Sequence, residues 1–250
     1  PDHDQILAIY EQLGKHKGGY HDVHARFFNY QNEDVPIYIE STEDVFTIES
    51  TELVVEQIAD IELNETTASD QWLPRGLALS DGTYFLAWAS RGQDGGGESD
   101  TAVVGKIIDE NGTVIANEFI INQTTDGNQW LQSINEIGNK VLITILNEGK
   151  LESRLFSKTG DALTDEITIL DNEPFSGSDV TVINSNEYLV TWAAEDGQNN
   201  WNIKSQRFDL TGNKIGAEVN VVNDVEYPTH TLQVAPKVTS LKNGYAITWS

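Results

Sequence analysis

Four apolar runs of strand length line up along the chain: Tyr84-Phe85-Leu86-Ala87-Trp88, Val141-Leu142-Ile143-Thr144-Ile145, Tyr188-Leu189-Val190-Thr191-Trp192 and Tyr245-Ala246-Ile247-Thr248-Trp249. They start at 84, 141, 188 and 245, so their separations are 57, 47 and 57 residues. Self-similarity on this scale sets the architecture before any single residue is weighed. A second landmark keeps the same register: Gly is followed six residues later by Glu at Gly112 and Glu118, Gly160 and Glu166, and Gly212 and Glu218. Each Gly ends a four-residue turn, Asp109–Gly112, Ser157–Gly160 and Asp209–Gly212. It supplies positive φ, and the Asp or Ser at the first position caps the turn through its side chain.

Strands after these turns, such as Glu118-Phe119-Ile120-Ile121 and Glu218-Val219-Asn220-Val221-Val222, lead into polar connections, and each next unit opens with a further strand. Leu73–Leu79 and Val234–Thr239 are examples of that opening strand. About four strands per unit follow. In the amino-terminal region, Ile6-Leu7-Ala8-Ile9-Tyr10 matches the aromatic-ended strand and Val23–Asn29 matches Ile203–Asp209. The match then weakens, with Asn32 at the turn Gly and Tyr38 at the Glu position. Tyr10 to the equivalent Trp88 is 78 residues, which places an insertion of about 20 to 30 residues within 41–60. That insertion reads as an extra hairpin or extended connection, with a short helix at Leu53–Ile58 as the alternative. The expected organisation is a divergent first repeat with an insertion (1–65), repeats at 66–128, 129–175 (short) and 176–231, and the start of a further one at 232–250. All belong to one domain, expected to be a piece of a longer chain. Four short strands per 47–57 residues predict an all-β fold, a β-propeller-like array of four-stranded repeats. Tandem β-sandwich units are the alternative, because paired units recur at 104 residues (84 to 188, 141 to 245).

Composition narrows the partners. Fifteen Lys and Arg against 40 Asp and Glu give a formal net charge of -25. Nucleic acids and anionic membrane surfaces, which are held by clustered cations, are thereby disfavoured, whereas calcium, basic ligands and neutral glycans are not. There is no Cys, hence no disulfide framework or thiolate chemistry. No run approaches the roughly 18 apolar residues of a membrane-inserting helix.

The strings Tyr84–Trp88, Gly92-Gln93-Asp94-Gly95-Gly96-Gly97, Asp109–Gly112 and Asn122-Gln123-Thr124-Thr125-Asp126-Gly127-Asn128-Gln129 resemble repeats of very large secreted bacterial proteins. There, phrases of the form V-T-W…G-Q-D-G alternate with Q-R-F-D-x-x-G and N-x-x-T-x-G-x-Q. Ser205–Gly212 and Tyr245–Ser250 are similar phrases. The resemblance covers residues 66–250 strongly and 5–40 weakly. It implies an RTX-associated or adhesin-like repeat region, an extracellular or cell-surface location and a propeller-like fold, and it brings no catalytic residue. Asn147-Glu148-Gly149-Lys150 departs from it, since no Gln-Asp-Gly loop stands there.

Candidate chemistry lies in the loops. Asp94, Glu98 and Asp100 place hard oxygen ligands in Gly-rich backbone, as calcium requires, although not at EF-hand spacing. Glu195, Asp196, Asn199 and Asn200 are a poorer version. His16, His21 and His24 cluster in sequence, but His21 and His24 stand three apart in a strand and face opposite sides, which argues against a zinc site. Tyr20 and Trp201, in equivalent loops, are the candidate ligand-binding aromatics. Trp72 and Trp130 are expected to pack between neighbouring blades, and Trp88, Trp192 and Trp249 to lie in the core. The Asn-x-Thr sequons at Asn64, Asn111 and Asn122 mean surface glycosylation in a eukaryotic secretory setting and nothing in a bacterial one, where Thr- and Asn-rich strands produce them by chance. Ser80–Tyr84 resembles a sialidase Asp-box turn at the wrong spacing, and Arg26, Arg75, Arg91, Arg154 and Arg207 are spread along the chain. Among 40 acids no pair stands out as a glycosidase dyad.

The expected function is a non-catalytic structural or adhesive module presenting loops to a ligand or partner. Its expected partners are other repeats of the same parent protein, glycans or cell-surface proteins. The alternative is part of a polysaccharide-active extracellular enzyme, sialidase- or glycosidase-like, with its catalytic residues elsewhere.

Overall fold

The computed structural model describes residues 5–13, 21–29, 41–42, 45–46, 56–95, 97, 100–171, 175–195, 201–222 and 233–250. In chain order its strands are β1 (Gln5–Leu13), β2 (His21–Asn29), β3 (Ser41–Thr42), β4 (Val45–Phe46), β5 (Glu56–Glu62), β6 (Gln71–Ala78), β7 (Tyr84–Arg91), β8 (Thr101–Ile108), β9 (Val114–Ile120) and β10 (Gln129–Ile137). There follow β11 (Lys140–Asn147), β12 (Lys150–Ser157), β13 (Ile167–Leu170), β14 (Phe175–Asn184), β15 (Glu187–Glu195), β16 (Trp201–Asp209), β17 (Lys214–Asn220), β18 (Lys237–Leu241) and β19 (Gly244–Thr248). They form five successive antiparallel meanders: β1-β2-β5, β6-β7-β8-β9, β10-β11-β12-β13, β14-β15-β16-β17 and β18-β19, here sheets I to V. The two-residue pair β3-β4 falls in the expected insertion. No helix occurs among the described residues, and β5 begins at Glu56, so the helix considered for Leu53–Ile58 is replaced by a strand over its last three positions.

Stacking of the sheets makes the array a propeller. β6 packs on β1 and β2 as β10 packs on β7 and β8, so β1 and β2 hold the places of the second and third strands of a blade. The first strands then follow one another, β6 against β10, β10 against β14, and β14 against β18. Each apolar cluster joins two neighbouring sheets: Val23, Ala25 and Leu63 meet Leu86, Trp88 and Val104 between I and II. Phe85, Ile107 and Ile121 meet Val141, Ile143 and Phe156 between II and III. Leu142, Leu151 and Leu155 meet Tyr188, Trp192 and Phe208 between III and IV. Tandem sandwiches would pair sheets two by two and leave alternate junctions without a core.

The repeated residues acquire separate physical roles. Trp88 and Trp192 are fully buried, and Trp72 and Trp130 meet across blades with ring centroids 6.1 Å apart. Trp249 departs from the expectation of a core position, being 41% exposed. Among the described residues sheet V has only β18 and β19, so Trp249 lacks the third-strand neighbour that Val104 provides beside Trp88. The turn caps form as the sequence predicts: Asp109 Oδ1 accepts from the amides of Asn111 and Thr113, and Asp209 Oδ1 from those of Thr211 and Asn213. Donation from the Asn213 side chain, followed by that from Thr211, holds the Asp209 carboxyl down at about 2.

Tyr188 supplies a pH-dependent check on the III–IV junction. Its ring stacks on Phe208, centroids 5.7 Å apart, its hydroxyl lies 3.4 Å from Ser153 Oγ, and burial pushes its phenol up to about 12. The protonated phenol therefore contributes stability in full below the unfolded value of about 10, and that contribution disappears as pH rises through about 12. Tyrosinate absorbance should show one of the eight tyrosines ionising last, together with loss of fold, and Tyr188→Phe should delete that step. Eight tyrosines titrating together near pH 10 would contradict this burial.

Candidate ligand-binding site at the propeller axis

Fourth positions of the aligned second strands are Ala87, Thr144, Thr191 and Thr248, and the residues paired opposite them are Arg75, Ser133, Asp179 and Lys237. These four occupy one equivalent position on the first strands of sheets II to V. Just before it the strand is irregular in each of sheets II to IV, with register breaks between Trp72 and Arg75, Leu131 and Ser133, and Ser176 and Ser178. Leu73 (φ 54), Gly177 (φ 61) and Ala235 (φ 51) take left-handed backbone at these bends. For Leu73 and Ala235 that conformation costs on the order of 1–3 kcal/mol, which the surrounding packing must offset. A proline follows each, Pro74 and Pro236, at a bulge where a missing amide is tolerated. At Gly177 the positive φ alone calls for glycine, since a Cβ there would meet Cα of Ala235 in the next blade at an ordinary 3.6 Å.

Beyond the bends lies an open cavity of about 380 Å³, lined by Arg75 and Gly76 of β6, Gln132, Ser133, Ile134 and Asn135 of β10, and Asp179 and Val180 of β14. Three neighbouring first strands thus contribute to one space, as at the axis of a propeller. Asp179 Oδ2 accepts from the Val238 amide at 2.9 Å, and its Oδ1 lies 3.8 Å from Lys237 Nζ, so this carboxylate is tied to the next blade. Ser133 Oγ is 2.7 Å from Thr144 Oγ1 and accepts from Asn135 Nδ2 at 3.2 Å. Asp179 is the one carboxylate among the lining residues.

The sequence-predicted site residues fall elsewhere. Tyr20, Glu98, His16, Asp196, Asn199 and Asn200 lie outside the described residues. Trp201 is half-buried and packs with Val221, Val234 and Ile247 against Ala193, Ile203 and Val222, at the junction of sheets IV and V. His21 lies near Asp70, Nδ1 to Oδ1 3.8 Å, whereas His24 stacks on Tyr10 with centroids 5.6 Å apart, so the two do not converge. Among the described residues no group of three or more His, Asp or Glu is placed to hold a metal ion.

Asp94 serves a junction between blades. Its Oδ2 accepts from Asn122 Nδ2 at 2.8 Å, while Asn122 Oδ1 accepts from the Val103 amide at 2.8 Å and Nδ2 also donates to the Thr124 carbonyl at 2.8 Å. Sheet I repeats the device with Asp22, Asn64, the Val23 amide and the Thr66 carbonyl. Two of the three recurring Glu belong to it as well, whereas Glu218 pairs with Lys204 at 3.2 Å. Glu118 accepts from Gln93 Nε2 at 2.8 Å and Thr66 Oγ1 at 3.1 Å, and Glu166 accepts from the Gln123 and Thr124 amides at 2.6 and 2.9 Å. Two of the three sequons, Asn64 and Asn122, are therefore buried struts at equivalent positions and not chance products. The Gln-Asp pair of the Gly-rich loop has the same structural purpose.

Sequence reasoning missed the axial position because Arg75, Asp179 and Lys237 look unrelated until strand pairing aligns them. The available signal was the parallel between Gln71-Trp72-Leu73-Pro74-Arg75 and Gln233-Val234-Ala235-Pro236-Lys237.

No protein-family model and no curated relative matches this chain. Among solved structures it is similar to a thermostable family-43 glycoside hydrolase, at 10% identity and a TM-score of 0.48, covering 98% of this chain and 84% of that one. An endo-arabinase from Bacteroides thetaiotaomicron matches at 9% identity and a TM-score of 0.47, covering 96% and 87%. An exo-beta-1,3-galactanase from Clostridium thermocellum matches at 10% and 0.45, covering 97% and 57%. Likenesses of this degree assign no role to any residue of this chain.

Proposed function

We propose that the chain is a saccharide-binding propeller segment of an extracellular or cell-surface protein, working beside further repeats of the same parent, with the axial cavity as its binding site. The observation that supports this is the cavity itself: about 380 Å³, open, and lined by the polar residues Gln132, Ser133 and Asn135 and the charged residues Arg75 and Asp179. Its size is within the range of small-ligand sites, and closely spaced donors and acceptors suit a polyhydroxylated ligand.

A hydrolytic reading has one observation in its favour, a carboxylate, Asp179, at the cavity. Hydrolysis with two carboxyl groups requires a second at about 5–10 Å, and none accompanies Asp179 in the lining. Titration against a panel of neutral and acidic oligosaccharides, with reducing ends assayed in the same samples, separates the readings. Binding without release of reducing ends is the expected result. Release that disappears in Asp179→Asn would replace the binding module with a hydrolase, and no binding across the panel would remove the saccharide reading.

A further inference from the structure

Arg75 is distinctive among the arginines. Of the four whose side chains are described, Arg91 pairs with Asp70 at 3.6 Å, Arg207 with Glu187 at 3.4 Å, and Arg154 donates to the Thr164 and Ile121 carbonyls. The Arg75 side chain makes no hydrogen bond or ion pair with the described residues, although acids outnumber bases 40 to 15 in this chain. It lines the axial cavity, and the acid that shares this lining, Asp179, is already engaged by the Val238 amide and by Lys237. The cavity is therefore lined by an arginine whose charge no ion pair offsets among the described residues, inside a protein of net charge -25.

We propose that the axial cavity is selective for an acidic saccharide, with the Arg75 guanidinium receiving a uronate carboxylate. This rests on the saccharide-binding reading above and specifies its ligand class. A neutral sugar offers Arg75 only hydroxyl acceptors, whereas a uronate offers two coplanar oxygens matched to the guanidinium fork, giving a bidentate, charge-assisted pair. Gln132 and Asn135 are left to the ring hydroxyls. Asp179 disfavours a carboxylate placed on its own side, so the acidic group is oriented toward β6.

The test compares oligogalacturonate with the same oligomer methyl-esterified, which keeps backbone and linkage and removes the charge. Calorimetric titration of the whole chain should give at least about tenfold tighter binding of the acid form. Arg75→Gln should abolish the preference for the acid form over the ester, and Arg75→Lys should retain only part of it. Because Arg75 is exposed, both variants are expected to fold, and an unchanged thermal midpoint verifies it. Equal binding of the two oligomers, or a preference that survives Arg75→Gln, overturns the acidic selectivity and leaves the saccharide site standing. Binding of neutral arabino- or xylo-oligosaccharides but not the uronate does the same. Failure of every oligosaccharide removes the saccharide site and this inference together.

Discussion

Replacing Trp88 with alanine is expected to cost about 3–5 kcal/mol, measured as a lower denaturant midpoint at unchanged slope. The indole is fully buried between sheets I and II, against Val23, Ala25, Leu63 and Val104. Truncation opens a cavity the stacked sheets cannot close, because both faces are held by their own ladders. A second loss is polar. Trp88 Nε1 donates to Gln71 Oε1 at 3.0 Å, and Gln71 is itself fully buried, so alanine leaves an acceptor without its donor at a further cost of about 1–3 kcal/mol. Trp88→Phe keeps most of the volume and should show mainly this second loss. The same truncation at Trp249, which the repeat aligns with Trp88, should change stability by no more than about 0.5 kcal/mol, since that side chain is 41% exposed. Equal effects at the two tryptophans would refute the assignment of the core to the junctions between sheets.

Asn122→Asp should be severely destabilising at neutral pH and far less so in acid. The substitution keeps the oxygen that accepts from the Val103 amide but turns the amide nitrogen into an acceptor. That atom lies 2.8 Å from the Thr124 carbonyl, 2.8 Å from Asp94 Oδ2 and 3.4 Å from Gln129 Oε1. A buried carboxylate facing three oxygens is uncompensated, a situation that costs about 3–5 kcal/mol. Burial and the neighbouring charge raise the new carboxyl above its unfolded value of about 3.9, so the folded state favours the protonated form. Stability is then present below about pH 4 and lost as pH rises through the raised folded value. Asn122→Ala orphans the Val103 amide and the Thr124 carbonyl without adding charge, so its loss should change little with pH. Thermal midpoints of both variants at pH 4 and pH 7 decide the matter: a loss for Asn122→Asp that is the same at both would mean the strut is not buried as described. Asn64→Asp, beside Asp22, should behave alike at the I–II junction.

These two variants mark the boundary between what the chain announces and what the fold adds. The apolar runs opening at Tyr84, Val141, Tyr188 and Tyr245, the turn glycines and the capping Asp109 and Asp209 are local features, because strand period, positive φ and side-chain caps involve residues a few positions apart. They were legible, and with their spacing they determined an all-β array of four-stranded repeats. Also legible was the recurring Glu, though not its purpose, since Glu118 reaches Thr66 and Glu166 reaches Thr124 across 52 and 42 residues. The loop aromatics and loop acids drew attention for their chemistry, yet Trp201 packs at a blade junction and Asp94 holds Asn122.

The axial cavity belonged to tertiary structure alone. Arg75, Ser133, Asp179 and Lys237 differ in charge and size, so no repeat of residue type connects them, and only the pairing register gives them one position on successive blades. By itself the sequence determined how each blade is built, because a blade's hairpins are closed by neighbours in the chain. Which Trp is core, which Asn is a strut and which Arg lines the axial cavity were decided by the stacking of one sheet on the next, which sets burial and charge at distances the local pattern does not encode.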